Sequence, residues 1–263
     1  MLYNMSGTKN EMCAVKRMDG GDEGDRRSAV RALVRKKKWR IFMKQLTYQD
    51  IKDNETIKTY IRRADESLIA MGYTEHSFAH VTKCAEDAYR LLKELGYSQR
   101  QCELAQIAGY LHDIGNVINR TDHAQSGAIM AFRLLDQLGM SADEISTVIS
   151  AIGNHDEGTA VPVNPVAAAL ILADKSDVRR SRVRNRNITA FDIHDRVNYA
   201  VERSGLELDA RDKTITLNLT IDSQMSDVMS YFEIFLGRMM LCKKAAEALE
   251  LRFKLIINGM VIL

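Results

Sequence analysis

The stretch Ala108-Gly109-Tyr110-Leu111-His112-Asp113-Ile114-Gly115-Asn116 constrains this chain more than any other. Leu104, Ile107, Ala108 and Leu111 fall at helical spacing on one face, which marks a core helix. That face continues into His112, at i+4 from Ala108, and Asp113 follows just before a glycine turn. A histidine and a carboxylate at the inner end of a buried helix need partners. Left unpaired, a buried charge is costly or shifts its pKa until it is neutral. A divalent metal satisfies both groups at once. The plainer account is a carboxylate capping a neighbouring helix beside a core histidine, and the pair alone does not choose between the two.

A second run repeats the pattern. Asn164 as N-cap and Pro165 at the first helical position open a helix whose residues Val166 to Ala173 are all apolar, and it then meets Asp174. The chain has two prolines, Pro162 and Pro165, both in the loop before that helix, so long uninterrupted helices are expected elsewhere. Ile57, Ile61, Ala64, Leu68 and Met71 form one stripe ending at Gly72. His80, Cys84, Ala88, Leu91 and Leu95 form another, in a helix from Ser77 to Leu95 that closes at Gly96. His80 thus sits on a buried face, where a lone histidine is more often a satisfied core residue than a ligand. His76 falls outside the stripe and reads as pocket rim or surface. Thr121-Asp122 reads as an N-cap for a helix with His123 in its first turn, followed by small Gly127 and Ala128. Ser141 to Glu144 reads as a capping box, and the stripe Ile145, Val148, Ile149, Ile152 leads straight to His155.

The remaining features set boundaries. Residues 1–45 lack core patterning; eight basic residues lie between Arg26 and Arg40, and Met43 is a candidate start of the patterned chain. Residues 46–200 read as helical. After about residue 200, Ile215, Leu217, Leu219 and Ile221 alternate with polar residues as a half-buried strand, with Leu206 and Leu208 in its hairpin partner. A long helix with Val228, Phe232, Phe235, Met239 and Cys242 on one stripe follows, and Asn258-Gly259 marks a tight hairpin turn near the end. The expected fold class is therefore mostly α: an all-helical domain followed by a small α+β unit over 201–263. A net charge of +2 gives no global case for nucleic acid or an anionic membrane. The four scattered cysteines read as reduced thiols, and no apolar run approaches a membrane span or a signal peptide. The expected location is cytoplasmic.

Taken together, His80, His112, Asp113, His123, His155 and Asp174 form a nitrogen and oxygen ligand set without thiolates. Such a set suits Fe, Mn or another intermediate divalent ion. Six ligands are enough for two ions with a carboxylate between them. The order His80, His112-Asp113, Asp174 also resembles the HD-domain superfamily of metal-dependent phosphohydrolases. The strings His80-Val81-x-x-Cys84-Ala85 and Leu111-His112-Asp113-Ile114-Gly115 carry the likeness. His123, followed by Gly127-Ala128, and His155 resemble the dinuclear subset, which includes HD-type diadenosine tetraphosphatases and HD-GYP cyclic-dinucleotide phosphodiesterases.

The resemblance covers residues 75–185 and implies a helical fold that hydrolyses a phosphate ester or anhydride of a nucleotide-like small molecule with metal-activated water. It implies His80, His112, Asp113 and Asp174 at a first metal, His112 and Asp113 being the catalytic pair, with His123 and His155 completing a second. Asp113 is the expected bridge, and one or two ions, Fe or Mn favoured, are the expected cofactor. Asp177, at i+3 from Asp174, is placed to orient a ligand. Past Asp174 a helix is expected to turn basic, and Lys175, Arg179 and Arg180 are candidates for substrate phosphates.

Two departures matter. Asn116 stands where many members have lysine, and Asn154-His155-Asp156-Glu157 lacks the second histidine of the HD-GYP pattern and the long loop that follows it. A linear nucleotide is therefore the favoured substrate. The alternatives are a cyclic-dinucleotide phosphodiesterase or a metal- and nucleotide-binding sensor without turnover. Nucleic-acid binding through residues 26–40 and 179–186 is a weaker third reading.

Overall fold

The computed structural model describes residues 45–185 and 187–263. The expectations for a basic tail over residues 1–45 and for Met43 lie outside the described residues, Gln45 apart. In chain order the helices are α1 (Tyr48–Lys52), α2 (Glu55–Ala70), α3 (Phe78–Glu94), α4 (Gln99–Leu111), α5 (His123–Gln137), α6 (Ala142–Gly153), α7 (Pro165–Lys175), α8 (Ile193–Ala200) and α9 (Val228–Ala248). The strands are β1 (Val201–Asp209), β2 (Thr214–Ile221), β3 (Arg252–Ile257) and β4 (Met260–Val261). The protein is mostly α-helical with a small four-stranded sheet near its carboxy terminus.

Helix α7 is the axis of the core. Every residue from Val166 to Lys175 is buried, as a helix apolar on all sides requires, and α3, α4, α6 and α9 pack around it. Truncating one of its fully buried side chains, such as Leu170, to alanine would cost about 2–5 kcal/mol. Its start follows the local chemistry: the Asn164 side chain accepts the Ala167 N–H at 2.8 Å, and Pro165 occupies the first turn. Ser98 and Gln101 form a reciprocal capping box at the start of α4. At α6, Ser141 accepts the Glu144 N–H, but the Glu144 carboxylate takes Arg100 Nε at 2.6 Å, so its side chain ties α6 to α4. Asp122 does precede α5, yet it adopts a left-handed φ of 56° and makes no side-chain cap bond. Close approach of α3 and α4 depends on Gly109, where a Cβ would lie 2.7 Å from Ala85 Cα.

The basic helix expected past Asp174 is not there. Helix α7 stops at Lys175, and the chain continues through short 3-10 turns at Arg180–Arg182 and Ile188–Ala190 before α8. The reason lies in Asp177, which turns inward to a buried histidine, while Arg179 and Arg182 bind Asp177 and Glu75. Those contacts outweigh the helix propensity of the run.

In the sheet, ordered β1-β2-β3-β4, β1 pairs antiparallel with β2, setting Leu206 opposite Leu217 and Leu208 opposite Ile215. Strand β3 pairs parallel with β2, which needs a crossover, and α9 supplies it. Asn258 (φ 50°) and Gly259 (φ 81°) make the turn into β4. Helix α9 lies on α7 as well as on β3, so residues Leu46–Leu263 form one compact unit. Among the described residues no helix is long and apolar enough to cross a membrane.

Candidate metal centre

All six expected ligands stand at or next to helix ends, and the fold brings them together. His80 lies in the first turn of α3 and His123 opens α5. His112 caps the carboxy end of α4 with Asp113 beside it, His155 follows the end of α6, and Asp174 is next to last in α7. All are buried. The rings form a chain of edge contacts, His80 to His112 at 5.2 Å, His112 to His155 at 4.9 Å and His155 to His123 at 5.1 Å between centroids. Gly115 makes the junction fit, since a Cβ there would fall 2.1 Å from the His123 carbonyl oxygen.

Each of the four histidines spends one ring nitrogen on an acceptor outside the cluster. Nδ1–H donates from His80 to Asp177 Oδ2 at 2.8 Å and from His112 to Gly109 O at 2.8 Å. It donates from His123 to Arg120 O at 3.0 Å and from His155 to Ile152 O at 2.6 Å. This leaves the Nε2 lone pairs for the cluster, the arrangement that metal-ligating histidines adopt. His80 Nε2 lies 3.3 Å from Asp174 Oδ1 and His112 Nε2 lies 3.2 Å from Asp113 Oδ2. His123 Nε2 lies 3.5 Å from Asp113 Oδ1. Asp113 therefore turns one oxygen toward His80 and His112 and the other toward His123. Among the described residues, His112 Nε2 and Asp113 Oδ2 are buried without a hydrogen-bond partner, two polar atoms aimed at one space.

The electrostatics keep both central carboxylates ionised. Burial works to raise the pKa values of Asp113 and Asp174. His112 for the first and Lys175 for the second outweigh it and hold both carboxyls well below their usual range. Burial would lower His112, but Asp113 and Asp174 reverse this and push it up to about 10. A divalent ion would take the place of the proton on His112 Nε2 between these carboxylates. Burial keeps His123 and His155 below the usual imidazole range, with His112 and Lys175 adding to the effect at His155. Both stay neutral and able to ligate. The cluster is able to bind a metal, as the groups His80, Cys84, His112, Asp174 and His112, Asp113, His155 show by their mutual proximity. Cys84 Sγ lies 3.7 Å from both ring nitrogens of His80, so it faces the ring between them and stands on neither lone pair.

The basic candidates separate. Lys175 is buried with Nζ 2.7 Å from Asp174 Oδ2 and 3.6 Å from Glu157 Oε1. Arg179 is engaged by Asp177 and Glu75, and Arg180 by the Tyr199 carbonyl, with Glu202 and Asp222 close by. Neither arginine is brought to the cluster. Other side chains are. Arg120 Nη1 lies 3.3 Å from His123 Nε2 and 4.0 Å from Asp113 Oδ1, its guanidinium carbon 5.7 Å from the centre of the Tyr73 ring. Asp156 Oδ1 lies 3.9 Å from His123 Nε2. Asn116, standing where lysine was noted as absent, is fully buried and donates to Asp113 Oδ1 at 2.9 Å. His76 stands at the rim, half-buried, its ring 5.4 Å from that of His80. From α9, Arg238 Nε binds Glu157 Oε1 at 2.6 Å, completing a chain Arg238, Glu157, Lys175, Asp174 that reaches the cluster. Nothing in the spacing of Arg120 or Arg238 sets them apart, although Asp156 stands next to His155.

Residues 77–192 match the HD domain family. Over 203 residues the chain is 22% identical to an uncharacterized protein, MJ1020, of Methanocaldococcus jannaschii, a stretch covering 68% of this chain and 78% of that protein. The matched region holds all six clustered residues. Fold, cluster and family match agree over this stretch: residues 77–192 match the HD domain, and the His/Asp cluster they hold fits an HD metal site.

Proposed function

We propose that this protein is a dinuclear phosphohydrolase acting on linear nucleotide-like phosphates. The observation that carries the reading is the convergence of His80, His112 and His123 Nε2 on Asp113 and Asp174, with His155 grouped beside them and the Nδ1 of all four rings held from outside. In this reading His80, His112, Asp113 and Asp174 would hold one ion. His123 and His155, with Asp113 shared, would hold the second, and Asp156, 3.9 Å from His123 Nε2, is near enough to join them. The absence of thiolates from the inward-facing set favours Fe or Mn. Two ions held by these residues would supply a water of lowered pKa and positive charge to offset the negative charge developing on a phosphoryl group.

The protein's own groups do the rest. Asn116 fixes Asp113 through its Oδ1, and Asp177 fixes the His80 ring. Lys175 holds Asp174 with Oδ1 toward the histidines, so we assign it to positioning that carboxylate rather than to the substrate. Arg120, 26% exposed in its side chain and edged against the cluster, is the cation best placed for a substrate phosphate. Arg179 and Arg180 are committed elsewhere and drop out of that role.

The preference for a linear substrate is supported by the short loop between His155 and Pro162. The test is metal analysis of anaerobically purified protein, followed by side-by-side turnover of linear nucleotides, dinucleoside polyphosphates and cyclic dinucleotides with Mn or Fe supplied. Faster cleavage of a cyclic dinucleotide would reverse the substrate choice. Bound metal without turnover of any substrate would favour a sensor.

A further inference from the structure

A concavity lies one residue removed from the cluster, its Tyr73 wall in contact with Arg120. It measures about 350 Å³ and is lined by Ile69, Gly72, Tyr73, Arg184, Asn185 and Asp195. Its walls come from the end of α2, the turn after it, the extended segment past Arg182 and the start of α8. Two larger concavities, of about 590 and 560 Å³, lie near the turn between β1 and β2.

The smaller one is tied to the cluster twice. The Tyr73 ring that lines it also carries the Arg120 guanidinium, and Arg120 reaches His123 Nε2. Three residues on, the His76 N–H donates to Asp65 Oδ1, the same carboxylate oxygen that accepts from Arg184, while the His76 ring packs edge-on to His80. The segment Tyr73 to His76 therefore borders both spaces.

The lining has a definite chemistry. Tyr73 is 44% exposed and Ile69 is 50% exposed, so an aromatic and an aliphatic surface face solvent inside a concave site. The Asp195 carboxylate and the Asn185 amide form a polar edge, joined by a hydrogen bond of 3.4 Å. Arg184 Nε is buried without a hydrogen-bond partner among the described residues. An apolar face with a few convergent polar groups is what a flat heteroaromatic ring with amino and imino donors requires. The volume stands at the small end of the roughly 300–1,000 Å³ typical of ligand pockets, enough for one base and its sugar.

We propose that this cavity receives the nucleobase of the substrate, with Tyr73 and Ile69 as its apolar face and Asp195 and Asn185 reading its edge. The phosphates of the same molecule would then pass Arg120 on the way to the ligand cluster. The inference rests on the phosphohydrolase reading above and gives it a nucleoside subsite.

The full chain, loaded with Mn, is titrated calorimetrically with a methylene-bridged nucleoside triphosphate and, separately, with methylenediphosphonate, which has no base. The nucleotide is expected to bind about tenfold more tightly or better, in line with what one stacked base contributes. In the double variant Ile69→Ser, Asp195→Ala, which leaves the Tyr73 face in place, that advantage should fall by about fivefold or more, while Mn content and methylenediphosphonate affinity stay within about twofold of the parent. Equal affinities in the parent, or an undiminished advantage in the variant, would overturn the subsite and leave the phosphohydrolase reading standing. Binding of neither ligand by the Mn-loaded parent would overturn both.

Discussion

Asp177 Oδ2 accepts the Nδ1–H of His80 at 2.8 Å, across 97 residues of sequence, and both side chains are buried. The bond fixes the ring so that Nε2 points at Asp174. Asp177 is itself held by Arg179 Nε at 2.9 Å and, through its carbonyl, by Arg182. Asp177→Asn keeps the volume but removes the charge and turns one oxygen into an amide. It should weaken metal binding by about 10–100-fold without unfolding the protein. Competitive titration against a chelator, with circular dichroism as control, measures it; unchanged affinity would detach Asp177 from the site.

The two central carboxylates should fail differently. Asp113→Ala removes a group shared between both halves of the cluster, so bound metal and turnover should be lost while the helices persist. Asp174→Ala should lose metal too, but it also strips buried Lys175 of its partner at 2.7 Å, leaving Glu157 at 3.6 Å. Breaking a buried pair in this way costs about 3–5 kcal/mol. Adding Lys175→Met to Asp174→Ala should restore much of that stability and none of the metal. Denaturant melts and metal analysis on the same samples distinguish the cases, and equal stability of the two single variants would refute the role given to Lys175.

Two glycine substitutions separate packing from ligation. At Gly109 a methyl would press on Ala85 Cα at 2.7 Å, in the seam between α3 and α4. At Gly115 it would meet His123 O at 2.1 Å and Gly127 N at 2.5 Å. Each replacement by alanine should destabilise the protein by about 1–3 kcal/mol. Gly115→Ala should in addition lower metal occupancy, because the backbone it displaces carries His123. Full occupancy in both variants would show that His123 is dispensable for loading.

The thiols Cys84 and Cys242 are fully buried. Burial pushes Cys84 well above its ordinary pKa and Cys242 up to about 12. Thiolate, the reactive form, is therefore scarce at pH 8. Iodoacetamide at that pH should leave both unmodified in the native protein and alkylate both in denaturant. Peptide mass mapping reads the result, and rapid native labelling of Cys84 would mean the cluster opens to solvent.

How much of this was legible in the sequence depended on the range of the forces involved. The α7 start at Asn164-Pro165 and the stripes of α2 and α3 are local patterns, and they stand where spacing puts them. The six clustered residues were legible because polar residues interrupt apolar helix faces, which is costly without a partner. The end of α7 was not. The run from Lys175 to Arg184 holds several good helix formers, and what stops the helix is a contact to His80 far along the chain. Arg120 and Arg238 were hidden for another reason: an arginine in a loop or on a half-exposed helix face usually meets only water, and nothing nearby marks these two.

Three of the four histidine rings take their orientation from the carbonyl three residues behind them, at Gly109, Arg120 and Ile152. Such an anchor is main chain, present whatever side chain occupies the position. The aim of His112, His123 and His155 is thus written into the path of the backbone, and substitutions among their neighbours leave it intact as long as that path holds. His80 alone of the four leans on a distant side chain. Drift in the surrounding sequence would therefore unsettle the His80 corner first, while the other three could be transplanted with their own short turns into another helical scaffold and keep their bearing.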